Sequence, residues 1–103
     1  MGNPMKIRAK TDGEVVEVKV LMSHMMETGQ RKNQAGEPIP AHFIQTVTVT
    51  CKERTVLGAQ WGPAVSANPF LAFKFAGGQK GDKVKVTWVD NKGDSRSDEV
   101  LIN

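Results

Sequence analysis

Val15-Val16-Glu17-Val18-Lys19-Val20-Leu21-Met22 alternates with a period of two. Val16, Val18, Val20 and Met22 fall on one side and Glu17 and Lys19 on the other, which predicts a β-strand with one buried face and one wet face. The same rhythm recurs on either side of it. Residues 5–10 alternate apolar and basic side chains as an earlier strand, closed by Thr11-Asp12-Gly13. Residues 83–90 set Val84, Val86 and Trp88 against Lys85 and Thr87. Residues 42–52 predict a further strand, with Phe43, Val47, Val49 and Cys51 on one side and Ile44, Thr46, Thr48 and Thr50 on the other. Glu53-Arg54 is expected to turn the chain into a strand over 55–61. Residues 70–75 and 95–102 complete the set, the last entered through a hairpin loop at Asp90-Asn91-Lys92-Gly93-Asp94, where Asn and Gly tolerate left-handed dihedrals. No stretch carries a helical period of useful length. The expected fold is all-β: an immunoglobulin-like antiparallel β-sandwich of about seven strands, without the Cys-Trp-Cys core signature of antibody domains.

A chain of 103 residues, 39% hydrophobic, supports one core and not two. The domain is expected to span residues 5–103, with 1–4 a flexible lead. Ten glycines and five prolines suit a fold rich in turns. The net charge of +3 is a weak basic bias with its charges interspersed, and tyrosine is absent. Nucleic-acid binding would want clustered cations with stacking aromatics among them, so no nucleic-acid partner is expected. Nor is a membrane partner, since no apolar run approaches the roughly 20 residues of a spanning helix.

Periodicity stops over residues 23–40 and again over 62–69. Long connections of this kind often carry function. His24, Met25 and Met26, with His42 and Cys51, offer the imidazole, thioether and thiol donors that suit Cu(I), although their spacing closes no ligand set. A soft-metal-binding sandwich is thus the alternative reading. Ser23, His24 and Glu27 supply the residue types of a hydrolytic triad but sit in one loop with no nucleophile elbow. Cys51 is in phase with Val47 and Val49, which predicts a small buried side chain and not a nucleophile. Gly77, Gly78 and Gly81 lack the Lys-Ser/Thr of a phosphate loop and are read as a turn. No catalytic residue, metal ligand or cofactor is expected.

Six stretches in order carry a resemblance: Leu21-Met22-Ser23-His24, Met26-Glu27-Thr28-Gly29, Pro40-Ala41-His42-Phe43-Ile44, Ala59-Gln60-Trp61-Gly62-Pro63, Asn68-Pro69-Phe70 and Val86-Thr87-Trp88-Val89-Asp90-Asn91-Lys92-Gly93-Asp94. From about Lys6 to Ile102 the chain resembles the SoxZ family of the sulfur-oxidising Sox system. The resemblance implies a non-catalytic sandwich subunit that pairs with a SoxY-type protein. That partner bears sulfur intermediates of thiosulfate oxidation on a C-terminal cysteine in a glycine-rich tail, and the pair makes transient contact with other Sox enzymes. It also implies a periplasmic location reached by co-export with the partner. This chain ends Val100-Leu101-Ile102-Asn103 without such a tail, which matches the supporting subunit. One departure is Met25, where the family would place proline. Partner contact is expected on the face bearing Ile44, Thr46 and Thr48 and on the loop carrying His24, Met25 and Met26. Trp61 and Phe70, at the edges of irregular segments, join this set because aromatic residues and Met favour interface centres.

Overall fold

The computed structural model describes residues 3–103. Seven strands run β1 (Lys6–Thr11), β2 (Val15–Leu21), β3 (Ile44–Cys51), β4 (Arg54–Gln60), β5 (Phe70–Ala76), β6 (Lys83–Asp90) and β7 (Ser95–Leu101). They form two antiparallel sheets, one ordered β1-β2-β5 and the other β4-β3-β6-β7. This is the expected sandwich, with strand ends displaced by a residue or two. The expected lead at 1–4 lies partly outside the described residues; Pro4 is exposed and the Asn3 amide reaches the Ser23 hydroxyl at 3.4 Å.

The alternation that predicts the strands also builds the core. Val16, Val18 and Val20 of β2 are fully buried, as are Val47 and Val49 of β3 and Val84 and Val86 of β6, with Trp88 beside them. Removing each of these side chains from water contributes about 1.5–3 kcal/mol, which is why the register of every inner strand is fixed. Cys51 and Ile102 close the same core at one end. There Gly78 lies so close to it that a β-carbon would stand 2.7 Å from Val16 Cγ2. The Gly77–Gly81 segment is therefore a turn, as expected, and at Gly78 the missing side chain permits packing.

Two expectations about β3 are corrected. Ile44 is fully buried and belongs with Val47 and Val49, not with the threonines. The pairing with β6 shifts register between Ile44 and Thr46, and this bulge reverses the in-out parity at Gln45. The hairpin after β3 turns on Lys52 and Glu53, with φ of 54° and 63°, and β4 already starts at Arg54. Two successive positive φ values are those of a type I′ turn, here made without glycine or asparagine.

The two sides of the sandwich close differently. β1 packs along β7, and the Met5 amide donates to Asp98 Oδ2 at 2.9 Å. β4 and β5 share no comparable seam, and the Arg54 guanidinium reaches across to the Ala76 carbonyl at 2.9 Å. Between β2 and β3 the chain leaves the sandwich as an irregular hairpin, held by bridges Glu27–His42 and Lys32–Pro38 and tipped by a turn at Asn33. With this projection the molecule measures 54 × 20 × 19 Å.

Outward-facing residues differ sharply between the sheets. On the four-stranded sheet, register sets Thr46 beside Gln60 and Val89, and Thr48 between Gly58 and Thr87, which pairs with Ser97. That area carries no charge; Lys85 and Glu99 come only at its far end. On the three-stranded sheet the outward rows are Lys6–Leu21–Phe70, Arg8–Lys19–Ala72 and Lys10–Glu17–Lys74.

Candidate functional site

Three loops meet at the end of the sandwich where β2 and β6 terminate. The loop after β2 brings His24, the return of the projecting hairpin brings His42, and the last residue of β6 is Asp90. His24 Nε2 lies 3.2 Å and His42 Nε2 2.6 Å from Asp90 Oδ2. The other carboxylate oxygen, Oδ1, accepts the Lys92 amide at 3.0 Å and the Asp94 amide at 2.9 Å. Asp90 is 2% exposed. Burial alone would push its carboxyl up, but hydrogen bonds from both histidines and from the Asp94 and Lys92 amides outweigh it, and the pKa is lowered from its ordinary value. A buried carboxylate with four donors is a satisfied one.

The His24 ring is held on every side. Its Nδ1 accepts the Met26 amide at 3.0 Å, which places the ring proton on Nε2, facing Asp90. Its plane meets Trp88 edge-to-face at 5.1 Å and His42 at 4.7 Å. Met26 takes a left-handed φ of 49° to make this contact, and its sulfur accepts the Ile44 amide at 3.4 Å. Trp88 Nε1 is a buried donor with no partner among the described residues, a cost of about 1–3 kcal/mol. Above these groups opens a cleft of about 530 Å³, lined also by Asn3, Ser23, Met25, Asn68 and Asp94.

The donor atoms of His24, His42 and Asp90 lie within 4.8 Å of one another, close enough to consider a metal ion. A neutral imidazole that ligates through Nε2 carries its proton on Nδ1, and Nδ1 of His24 already accepts an amide hydrogen. A metal would thus require the Met26 backbone to move, and the cluster stands as a hydrogen-bond hub. The thioether and thiol donors weighed for Cu(I) do not complete the cluster. Met25 lines the cleft but is 60% exposed, and the Met26 sulfur is engaged by the Ile44 amide. Cys51 pairs with Val84, six residues along β6 from Asp90, about 20 Å away at strand rise. The triad types do not assemble either, because Glu27 pairs with Arg31 at 2.9 Å while both His24 nitrogens are occupied.

Of the residues expected at a partner contact, Met25 and Phe70 are exposed at 60% and 62%, Thr46 is exposed, and Thr48 and Trp61 are half-buried. Thr46 and Trp61 share a shallow polar depression with Phe43, Gln45 and Gln60. Ile44, Met26 and His24 are inside the molecule at 0%, 5% and 8% exposure, beneath the surface of this chain. Asp90 escaped sequence reasoning as a hub. The Asp-Asn-Lys-Gly-Asp run marks its loop, but its histidine partners stand 66 and 48 residues away.

Comparison with known proteins accords with these features. No curated protein matches the chain. The family model described as sulphur oxidation protein SoxZ matches residues 5–101, nearly the whole length, and so takes in the hub, the projecting hairpin and all seven strands. On that match the chain belongs to the SoxZ family and has its role in the Sox system of sulfur oxidation.

Proposed function

We propose that this chain is the non-catalytic half of a sulfur carrier, pairing with a SoxY-type subunit that bears the sulfur on a C-terminal cysteine. The observation that carries the reading is the state of the chain's one thiol. Cys51 is 2% exposed, and burial, reinforced by Asp82 and opposed by Lys52 and Arg54, pushes its pKa up. A covalent sulfur carrier needs an accessible thiolate. Cys51 is neither accessible nor easily ionised, so the cargo belongs on the partner, and this chain supplies a rigid body for the tether. Anchoring sets the effective concentration of a flexible arm at each enzyme it visits.

The uncharged part of the outer face of the four-stranded sheet, around Thr46 and Thr48, is the pairing surface in this reading. Interface centres are depleted of charge because burying a charge is expensive, and Thr46, Thr48, Gly58, Thr87 and Ser97 give a flat patch that loses little on leaving water. Coexpression with a tagged SoxY-type protein, followed by size-exclusion chromatography with light scattering, tests the proposal. A stable one-to-one complex is expected; separate elution of two folded chains would refute it. Periplasmic location belongs to the same proposal, with export depending on the partner's signal peptide. Cell fractionation with and without that signal checks it.

A further inference from the structure

The outer face of the three-stranded sheet gathers charge that the sequence spreads along the chain. Lys6, Arg8 and Lys10 of β1, Lys19 of β2 and Lys74 of β5 are exposed there, and Glu17 is the one carboxylate among them. Five cations against one carboxylate give this face +4, more than the +3 of the whole chain. Of fourteen cations and eleven carboxylates in all, the remaining nine and ten nearly cancel. Glu17 lies 3.7 Å from Lys19, and Asp12 sits in the field of Lys74 at the far end. The least compensated charge is therefore at the near end, on Lys6 and Arg8.

At that end the face also turns apolar. Lys6, Arg8 and Lys19 rim a shallow depression with Leu21 and Phe70. Register sets Lys6 opposite Leu21 and Leu21 opposite Phe70, and the two apolar side chains are 41% and 62% exposed. An apolar floor inside a cationic rim fits carboxylates that flank a hydrophobic side chain. Single-stranded nucleic acid fits less well, since stacking wants successive aromatics and this face has only Phe70. A bilayer fits less well too, because two partly covered apolar residues give little area to insert.

We infer that this face docks an acidic protein surface, seating one apolar side chain between Leu21 and Phe70 in a rapid, salt-sensitive encounter. The inference rests on the reading that the chain acts by contact, but not on which subunit it pairs with, and its test leaves that subunit out. The ¹⁵N-labelled chain is titrated with a synthetic peptide of Asp and Glu around a single Phe. Amide shifts should cluster at residues 6, 8, 19, 21 and 70, and affinity should fall about ten-fold between about 0.05 and 0.3 M salt. Lys6→Glu with Arg8→Glu should weaken binding by a further order of magnitude, about ten-fold or more, Phe70→Ala less, and Lys85→Glu on the opposite sheet not at all. Lys6→Gln with Arg8→Gln provides the milder variant if charge reversal disturbs the fold. Shifts scattered over the molecule, or equal weakening by Lys85→Glu, would overturn the inference. So would tighter binding at this face by a thymidine ten-mer or by phosphatidylglycerol vesicles, each of which names a different occupant.

Discussion

One sandwich presents two unlike outer faces. Over the half of the four-stranded sheet around Thr46 and Thr48 the outward positions are uncharged, with Lys85 and Glu99 only at the far end; across the three-stranded sheet they are mostly lysine and arginine, with Glu17 among them and one apolar corner. Both faces follow the same alternation and cover the same valine core, so folding alone does not require the difference. An uncharged flat face gives up little on permanent burial, whereas a cationic face attracts from a distance and releases under salt. On the readings proposed above, the contrast separates a surface for lasting assembly from a surface for brief encounters.

The largest way to break the contrast is to break what joins the sheets. Asp90, at the end of the four-stranded sheet, holds His24, which follows directly from the three-stranded one. Asp90→Ala leaves four donors without their acceptor, that of His24 in the interior, and should cost about 3 kcal/mol in urea unfolding, disturbing both faces together. Gly78→Ala forces a methyl group against Val16 and Phe75 and should cost about 1–3 kcal/mol by the same measurement, with less effect at the His24 end.

Substitutions on the faces themselves sharpen the contrast. Thr48→Arg places a charge between Gly58 and Thr87 and should weaken pairing with the SoxY-type subunit at least about ten-fold, or about 1.4 kcal/mol, by calorimetry. The same variant should leave the acidic-peptide titration unchanged. Acid acts on the frame: the Asp90 carboxyl is held low by its histidine and amide partners, and the Asp98 carboxyl chiefly by Arg96. A depressed carboxylate stabilises the fold above its unfolded value of about 3.9, and that contribution is lost as pH falls through the lower folded value. Unfolding free energy should therefore be level at neutral pH and drop below about pH 4. Smallest of all, pairing through the threonine face should change less than about two-fold with salt over a range that weakens peptide docking about ten-fold.

The strands were legible because burial on one side imposes a period of two, and Val16, Val18 and Val20 state it without interruption. Ile44 was misplaced because a bulge at Gln45 reverses parity and no glycine or proline marks it. The turn at Lys52-Glu53 hid for a like reason, since neither residue is a usual left-handed one. Loop chemistry is legible only locally. His24 and His42 stood out by type, but their convergence on Asp90 depends on pairings between distant strands. The cationic face was invisible for the same cause: its charges look interspersed until the order β1-β2-β5 stacks them in rows.

The seam between β1 and β7 has a kinetic meaning. The hydrogen bond from the Met5 amide to Asp98 joins residues 93 apart, and β1 also contacts β7. Contacts of such long separation close a large loop whose entropy is lost before they stabilise anything, and folds dominated by them assemble in milliseconds to seconds. Until β7 arrives, β1 has β2 as its one hydrogen-bonded strand neighbour, whereas β2 also pairs with β5. Closing the seam thus brings the two ends of the chain together, and any delay in it leaves β1, the edge strand of its sheet, without that brace.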